Sequence, residues 1–153
     1  MSVVIAQVDE RLIHGQIVNE WILKVRLTHL IIIDYELLTD LFMANIYRAM
    51  APFWVEVHIL SPRDTAIFLN SREEKNGEKI FLLARTPVIY EKLIEYGVHI
   101  PEIVLAEKKY MPKKRNASLE NKIAINRLLE QNVKVMVQEF PNEEATVIEK
   151  YKI

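Results

Sequence analysis

The chain has 153 residues and a mass of 18.0 kDa, which suits one compact domain. Half of its residues are hydrophobic and 27% are charged, the balance of a globular protein rather than of a disordered or fibrous one. Twenty basic and 21 acidic side chains leave a net charge of −1, which argues against general affinity for nucleic acid or anionic lipid. The absence of cysteine excludes disulfides, thiolate catalysis, zinc fingers and iron–sulfur clusters.

Short β-branched runs alternate with longer segments of helical period. The predicted strands cover residues 3–8, 30–34, 54–60, 79–84, 102–106 and 133–139. The predicted helices cover residues 15–25, 37–50, 63–71, 88–96 and 119–131. Several strands are apolar nearly throughout, as in parallel sheets covered on both faces. We therefore expect one α/β domain over residues 1–153, with an open, mostly parallel sheet and helices on both faces.

Prolines and glycines mark the ends of several predicted helices. Ser61-Pro62 and Thr86-Pro87 each place a hydroxyl before a proline, which predicts a capped helix start. Gly97 follows a predicted helix and is expected in the left-handed conformation.

The apolar runs fall far short of the roughly 20 residues that cross a bilayer. The first residues do not resemble a secretory signal, so a cytoplasmic location is expected.

The first predicted strand leads into a loop that we call the site loop, residues 9–16: Asp9-Glu10-Arg11-Leu12-Ile13-His14-Gly15-Gln16. Sheets of this class bind ligands where strands lead into helices. The amides of Gly15, Gln16 and Ile17, at the predicted helix start, favour an anion. Arg11 offers a fork of donors for phosphate oxygens, and the His14 imidazole offers a nitrogen that can attack phosphorus.

Two questions about this loop stay open on the residues alone. Asp9 is expected either to bond the imidazole of His14 and fix its tautomer, or to orient Arg11. His14 is either a structural histidine near a strand end or a carrier of a phosphoryl group. The remaining histidines are interpreted as structural: His29, His58 and His99.

The block of residues 9–16, followed by Trp21, resembles the signature loop of a known family. The family comprises the IIB components of the mannose/fructose/sorbose type in the bacterial phosphoenolpyruvate-dependent sugar phosphotransferase system (PTS). Residues 31–34 and 39–40 resemble its second strand and the following helix start. Residues 50–52 resemble the end of that helix, and residues 82–87 its fourth strand and turn.

The resemblance implies a phosphocarrier with protein-N(pi)-phosphohistidine–sugar phosphotransferase activity. His14 would accept a phosphoryl group from a phosphohistidine on the IIA component and pass it to a sugar held by the membrane IIC/IID permease. Arg11 would contact the phosphate, and Thr86 would donate a further hydrogen bond. No metal, cofactor or nucleic acid is expected. The resemblance also implies self-association and contact with the inner face of the membrane through the permease.

Two segments depart from the family pattern. The family usually has an asparagine and two glycines after the fifth strand, where this chain has Ala106-Glu107, and Glu10 stands where an aspartate is common. Residues 107–115 contain five basic side chains, which we interpret as a solvated loop or, alternatively, as a docking site for an acidic partner or the membrane surface. Arg85 is expected to add positive potential near the phosphate.

Further expectations concern isolated side chains and two rival functions. Trp21 is expected in the core, Asp34 as a cap at a strand end and Asp40 on a helix surface. The main alternative function is a divergent, non-transporting IIB paralogue that acts as a regulatory protein-binding module. A nucleotide-binding domain is a third reading, which the absence of a glycine-rich phosphate loop disfavours.

Overall fold

Strands and helices alternate along the part of the chain that the computed structural model describes, residues 3–13, 17–71, 77–114 and 116–153. The strands are β1 (Val3–Val8), β2 (His29–Ile33), β3 (Glu56–Leu60), β4 (Ile80–Ala84), β5 (Glu102–Leu105), β6 (Lys134–Val137) and β7 (Thr146–Val147). The helices are α1 (Ile17–Val25), α2 (Tyr35–Thr39), α3 (Leu41–Met50), α4 (Pro62–Ser71), α5 (Val88–Glu95) and α6 (Leu119–Glu130), with a short 3₁₀ turn at Lys108–Tyr110. None of these helices is long and apolar enough to cross a membrane.

The strands form one seven-stranded sheet in the order β3-β2-β4-β1-β5-β6-β7. Strands β1 to β6 pair in parallel, and β7 pairs antiparallel with β6. The chain adds β2, β3 and β4 on one side of β1 and the later strands on the other, so a topological switch lies beside β1. Ligands of such sheets bind at this switch, beyond the carboxyl ends of the strands.

Helices cover the two faces of the sheet, and a separate apolar core fills each layer. One core joins α1, α2 and α3 to the sheet, through side chains such as Trp21, Ile22, Leu37 and Ala44. The other joins α4, α5 and α6, through side chains such as Ala66, Tyr90, Leu93, Ile125 and Leu128. The predicted α/β architecture with helices on both faces is confirmed, as is the core position of Trp21.

The segment after β2 differs from the prediction of one helix over residues 37–50. It forms two helices, because Asp34 and Asp40 each cap one. The Asp34 carboxylate accepts from the amide of Leu37 at 3.2 Å, and that of Asp40 accepts from Met43 at 3.1 Å. Asp40 takes a non-helical backbone conformation, with φ −116° and ψ 82°, which ends α2 and starts α3. The predicted cap at Asp34 is confirmed; Asp40 is a second cap rather than a residue of a helix surface.

The two predicted hydroxyl caps have different outcomes. Ser61 Oγ accepts from the amide of Asp64 at 3.1 Å, so the cap of α4 is confirmed. Helix α5 is preceded by Pro87 in a helical conformation and has no side-chain cap, so the predicted cap by Thr86 is wrong. Gly97, with φ +88°, follows α5 in the left-handed conformation, as predicted.

Tyr90 on α5 ties this helix to the middle of the sheet. Its buried hydroxyl lies 2.7 Å from the carbonyl oxygen of Gln7 and 3.1 Å from that of Leu82, and donates to both strands β1 and β4. Burial raises the pKa of Tyr90 well above its ordinary value. The phenol therefore stays a hydrogen-bond donor throughout the physiological pH range.

Replacing Tyr90 by phenylalanine should lower the free energy of unfolding by about 1–2 kcal/mol, because two buried carbonyl groups lose a donor. Urea denaturation followed by circular dichroism measures the change. Tyr96→Phe is the matched control, since Tyr96 is exposed at the end of the same helix. Equal stability of the two variants would contradict a stabilising role for the Tyr90 hydroxyl.

Candidate functional site

The site loop begins at the carboxyl end of β1, in the middle of the sheet. The amide of Asp9 donates to the carbonyl of Ala84 on β4 at 2.8 Å, and the amide of Ala106 donates to Val8 at 2.9 Å. These bonds hold the start of the loop between the ends of β4 and β5. The predicted site residues His14, Gly15 and Gln16 lie outside the described residues, so the geometry below concerns residues 9–13 and their neighbours.

The described part of the loop is a tight turn with a buried end. The amide of Leu12 donates to the carbonyl of Asp9 at 2.9 Å, and the amide of Arg11 donates to the Asp9 carboxylate at 3.0 Å. Leu12 has a φ of +55°, a left-handed conformation that is unfavourable for a leucine. The side chains of Leu12 and Ile13 are buried in the core beneath α1, and their burial offsets this strain.

Asp9 and Arg11 form a two-pronged ion pair at the top of the loop. Nε and Nη2 of Arg11 donate to Oδ1 and Oδ2 of Asp9 at 3.0 and 3.2 Å. The Asp9 side chain is 1% exposed, whereas that of Arg11 is 47% exposed. The hydrogen bond that Arg11 donates to Asp9 raises the pKa of Arg11 above its ordinary value. The guanidinium is thus fixed at one edge by a buried carboxylate, and its other three N–H donors have no hydrogen-bond partner among the residues that the structure describes.

Glu107 holds the loop from the neighbouring strand. It follows the end of β5, and its Oε1 accepts from the amide of Glu10 at 2.9 Å. Lys109 then binds both carboxylates, with its Nζ 2.7 Å from Glu10 and 3.5 Å from Glu107. The hydrogen bond and the charge of Lys109 lower the pKa of Glu10. Glu107 is one of the two residues, Ala106 and Glu107, at which the chain departs from the expected pattern. Its side chain contacts the site loop.

Arg85 ties the loop to the other side of the sheet. Its Nε donates to the carboxylate of Asp34 at 2.9 Å, and its Nη1 donates to the carbonyl of Glu10 at 3.1 Å. Burial lowers the pKa of Arg85, but the hydrogen bond and charge of Asp34 outweigh this effect and raise it. One guanidinium thus connects the ends of β2 and β4 to the loop after β1.

Thr86 lies directly after Arg85, next to the start of the site loop. No hydrogen bond joins its hydroxyl to any residue within the described ranges, while its carbonyl accepts from the amide of Ile89 at 3.4 Å. Because the hydroxyl does not cap α5, it is available to a ligand at this edge.

Part of the basic segment 107–115 belongs to this site. Residues Lys108–Tyr110 form a 3₁₀ turn in which Tyr110 is buried. Lys109 binds Glu10, and Lys108 binds Glu143. The interpretation of a solvated loop holds for the exposed Lys108, Lys113 and Lys114, but it is wrong for Lys109 and Tyr110, which are partly and fully buried. Sequence reasoning missed Glu107 and Lys109; the signal was their place directly after the strand that neighbours β1.

The site brings together two buried carboxylates, those of Asp9 and Asp34, with three cations and a hydroxyl at the carboxyl edge of the sheet. Arg11, Arg85 and Lys109 are each held by at least one carboxylate. Such pairing fixes the positions of the cations without neutralising all their donors. The arrangement suits the binding of a small anion with several oxygens close to the end of the site loop.

This chain is similar to known proteins over nearly its whole length. The family model described as "PTS system sorbose subfamily IIB component" matches residues 3–151. The mannose-specific EIIAB component of the PTS from Escherichia coli (strain K12) is 28% identical over 103 residues, which are 67% of this chain and 32% of the relative. The sorbose-specific EIIB component from Lacticaseibacillus casei is 26% identical over 119 residues, 77% of this chain and 71% of the relative.

A solved structure shares the fold. The IIBSor domain of the sorbose permease from Klebsiella pneumoniae superposes with a TM-score of 0.83 at 20% identity, covering 95% of this chain and 93% of that one. The chain spans about a third of the length of the mannose-specific relatives it matches. The family resemblance predicted from the site loop is confirmed by the match over residues 3–151: the chain belongs to the sorbose subfamily of PTS IIB components.

Proposed function

We propose that this protein is a phosphocarrier in sugar uptake, with His14 as the residue that carries the phosphoryl group. The observation that supports this most is the Asp9–Arg11 fork, fixed three residues before His14 at the carboxyl end of the central strand. Membership of the PTS IIB family supplies the class of reaction. The IIA component would be the donor, and a sugar held by the IIC/IID permease the acceptor.

The proposed reaction has two transfers. An imidazole nitrogen of His14 attacks the phosphorus carried by the donor histidine; a new N–P bond forms, the old one breaks, and the donor imidazole leaves with its electron pair. A sugar hydroxyl then attacks the same phosphorus: an O–P bond forms, the N–P bond to His14 breaks, and the hydroxyl proton ends on the released imidazole. Both steps spread negative charge over the three equatorial phosphoryl oxygens, so catalysis consists mainly of positioning and charge stabilisation.

The other site residues have distinct roles in this proposal. The remaining donors of Arg11, the amides of Gly15 and Gln16 and the hydroxyl of Thr86 would bind the phosphoryl oxygens. Asp9 orients Arg11 and does not touch the phosphate. Arg85 positions the loop through the Glu10 carbonyl and adds positive potential.

Exposed apolar side chains near the site fit a protein that two partners visit in turn. Helices α2 and α3 lead away from the carboxyl end of β2, the edge at which the site loop lies. The large exposed side chains at the starts of these helices are Tyr35, Leu38, Leu41 and Phe42, with Phe42 75% exposed. Patches of this kind mark docking surfaces. The IIA component and the permease would approach this side, at the cytoplasmic face of the membrane; self-association stays a separate prediction.

Incubation with phosphoenolpyruvate, enzyme I, the histidine phosphocarrier protein and a IIA component should add one acid-labile phosphate to this chain. Mass spectrometry should place it on His14, because this histidine lies in the site loop. His14→Ala should take up none, while His99→Ala, which removes an exposed histidine elsewhere, should take up as much as the wild type. Phosphate on His14→Ala at the wild-type level would remove His14 from the proposed role.

Arg11→Lys should slow the transfer of phosphate from IIA by about 10²–10³-fold, because a lysine keeps the charge but cannot bind Asp9 and phosphate with one planar fork. Rapid-quench measurement of phosphate uptake gives the rate, and circular dichroism checks the fold. Arg63→Lys is the control, on an exposed position of α4. A transfer rate within about twofold of the wild type would show that Arg11 does not bind the phosphate.

Arg85→Lys should reduce the transfer rate less, by about 10-fold, because Arg85 acts through the Glu10 carbonyl and not on the phosphate itself. If Arg85 positions the loop, the Leu12 amide, whose hydrogen bond to Asp9 closes the turn, should exchange its hydrogen faster in Arg85→Lys than in the wild type. Unchanged exchange at this amide would contradict the proposal that Arg85 holds the loop.

A further inference from the structure

A second cluster of chemically active side chains lies at the opposite, amino edge of the sheet. His29 is the first residue of β2, and Glu56 is the first residue of β3. The two are paired directly in the register of these parallel strands. His58 follows Glu56 by two positions, so all three side chains are on one face of the sheet. On the sequence alone, both histidines are interpreted as structural.

The donor atoms of these three residues converge. His29 Nε2 lies 3.2 Å from one oxygen of the Glu56 carboxylate, and His58 Nε2 lies 2.8 Å from the other. The two imidazole rings are nearly parallel, with 6° between their planes and 6.1 Å between their centroids. One donor atom from each of the three residues lies within 4.8 Å of the others. Ligands of a tetrahedral metal ion with bonds of about 2.0–2.2 Å lie ~3.3–3.6 Å apart, so small side-chain movements would bring these atoms into place.

The other nitrogen of His29 is held by Thr28. The Thr28 hydroxyl donates to the carbonyl of Lys79 at 3.1 Å and accepts from the Lys79 amide at 2.8 Å. With its one proton committed, the hydroxyl accepts from Nδ1–H of His29, 2.8 Å away. This bond leaves Nε2 as the nitrogen of His29 that faces the Glu56 carboxylate. Such a hydrogen bond to the far nitrogen is the usual support of a metal-binding histidine.

A second carboxylate adds to the negative charge. Glu78 Oε2 lies 3.9 Å from His29 Nε2, and the Glu78 side chain is only 5% exposed. Imidazole and carboxylate are together a donor set that zinc and similar transition metals accept.

We propose that His29, Glu56 and His58 form a binding site for a divalent transition-metal ion of the zinc type, with Glu78 beside it as a further anionic group. The ion would join β3, the edge strand of the sheet, to β2. Because the Thr28–Lys79 bonds continue to the start of β4, the site would fix the amino edge of three neighbouring strands. This site is separate from the phosphoryl site, which lies at the carboxyl ends of the strands.

Zinc titration of the full chain by calorimetry, after chelator treatment, tests this proposal. The wild type should bind one zinc ion at this site, and Glu56→Gln and His58→Gln should each weaken its affinity at least about 10-fold, because each loses a direct ligand. Two controls should keep the site: His99→Gln, which changes an exposed histidine elsewhere, and His14→Gln, which removes the histidine of the proposed phosphoryl site.

Thermal unfolding gives a second reading that does not depend on phosphotransfer. At a zinc concentration of 100 times the dissociation constant, the unfolding midpoint should rise by about 5–10 °C in the wild type and both controls. The rise should fall to about half or less in Glu56→Gln and His58→Gln, each of which changes a partly exposed side chain. Zinc affinities within about twofold of the wild type in these two variants, or loss of binding in His14→Gln, would overturn the proposal. So would the absence of zinc binding, which would leave protonated imidazoles as the cations that face Glu56.

Discussion

The buried carboxylate of Asp9 is the constraint on which the functional edge of the sheet depends. It accepts hydrogen bonds from the backbone amide of Arg11 and from two N–H groups of the Arg11 guanidinium. One side chain therefore fixes both the turn and the Arg11 cation. A carboxylate buried to this degree is stable only when it is paired and hydrogen-bonded, so Arg11 is as necessary to Asp9 as Asp9 is to Arg11. The same pair that stabilises the loop thereby presents the remaining donors of the fork to solvent. Structure and chemistry are coupled at this point, and a change to either residue affects both.

Neighbouring strands reinforce the loop from two sides. Arg85 reaches it from the β2–β4 side and binds the Glu10 carbonyl, while Glu107 reaches it from β5 and binds the Glu10 amide. The backbone amide and the backbone carbonyl of Glu10 are thus both hydrogen-bonded by side chains that follow other strands. The positive φ of Leu12 is tolerated because its side chain is buried in the core below α1. Residues 9–13 are thus held in place by contacts within the protein itself rather than by a bound partner, which suits the proposed phosphocarrier role.

Much of the fold followed from residue patterns, and the errors have local causes. Strand β4 and all of β2 after His29 are apolar, so their burial on both faces was readable from the sequence. The division of residues 37–50 into two helices was missed because nothing in the residue type of Asp40 separates a helix cap from a surface position. Its role as a cap depends on its backbone conformation. The Thr86 cap failed because the amide of Ile89, three residues further on, donates to the carbonyl oxygen of Thr86 at 3.4 Å rather than to its hydroxyl, so α5 has no side-chain cap. Strand β7 has two residues, too few for a period to show.

The sequence by itself determined the family, the α/β class and the loop that bears Arg11 and His14, because these depend on local order along the chain. Only the tertiary structure decided which distant side chains meet that loop. Glu107 is 97 positions from Glu10, and Arg85 is 75 positions from it, and no periodicity links residues so far apart. The cluster of His29, Glu56 and His58 was likewise invisible in the sequence, since it arises from the register of two parallel strands. Strand pairing is chosen by the packing of the whole sheet, and that is why these contacts had to be seen rather than predicted.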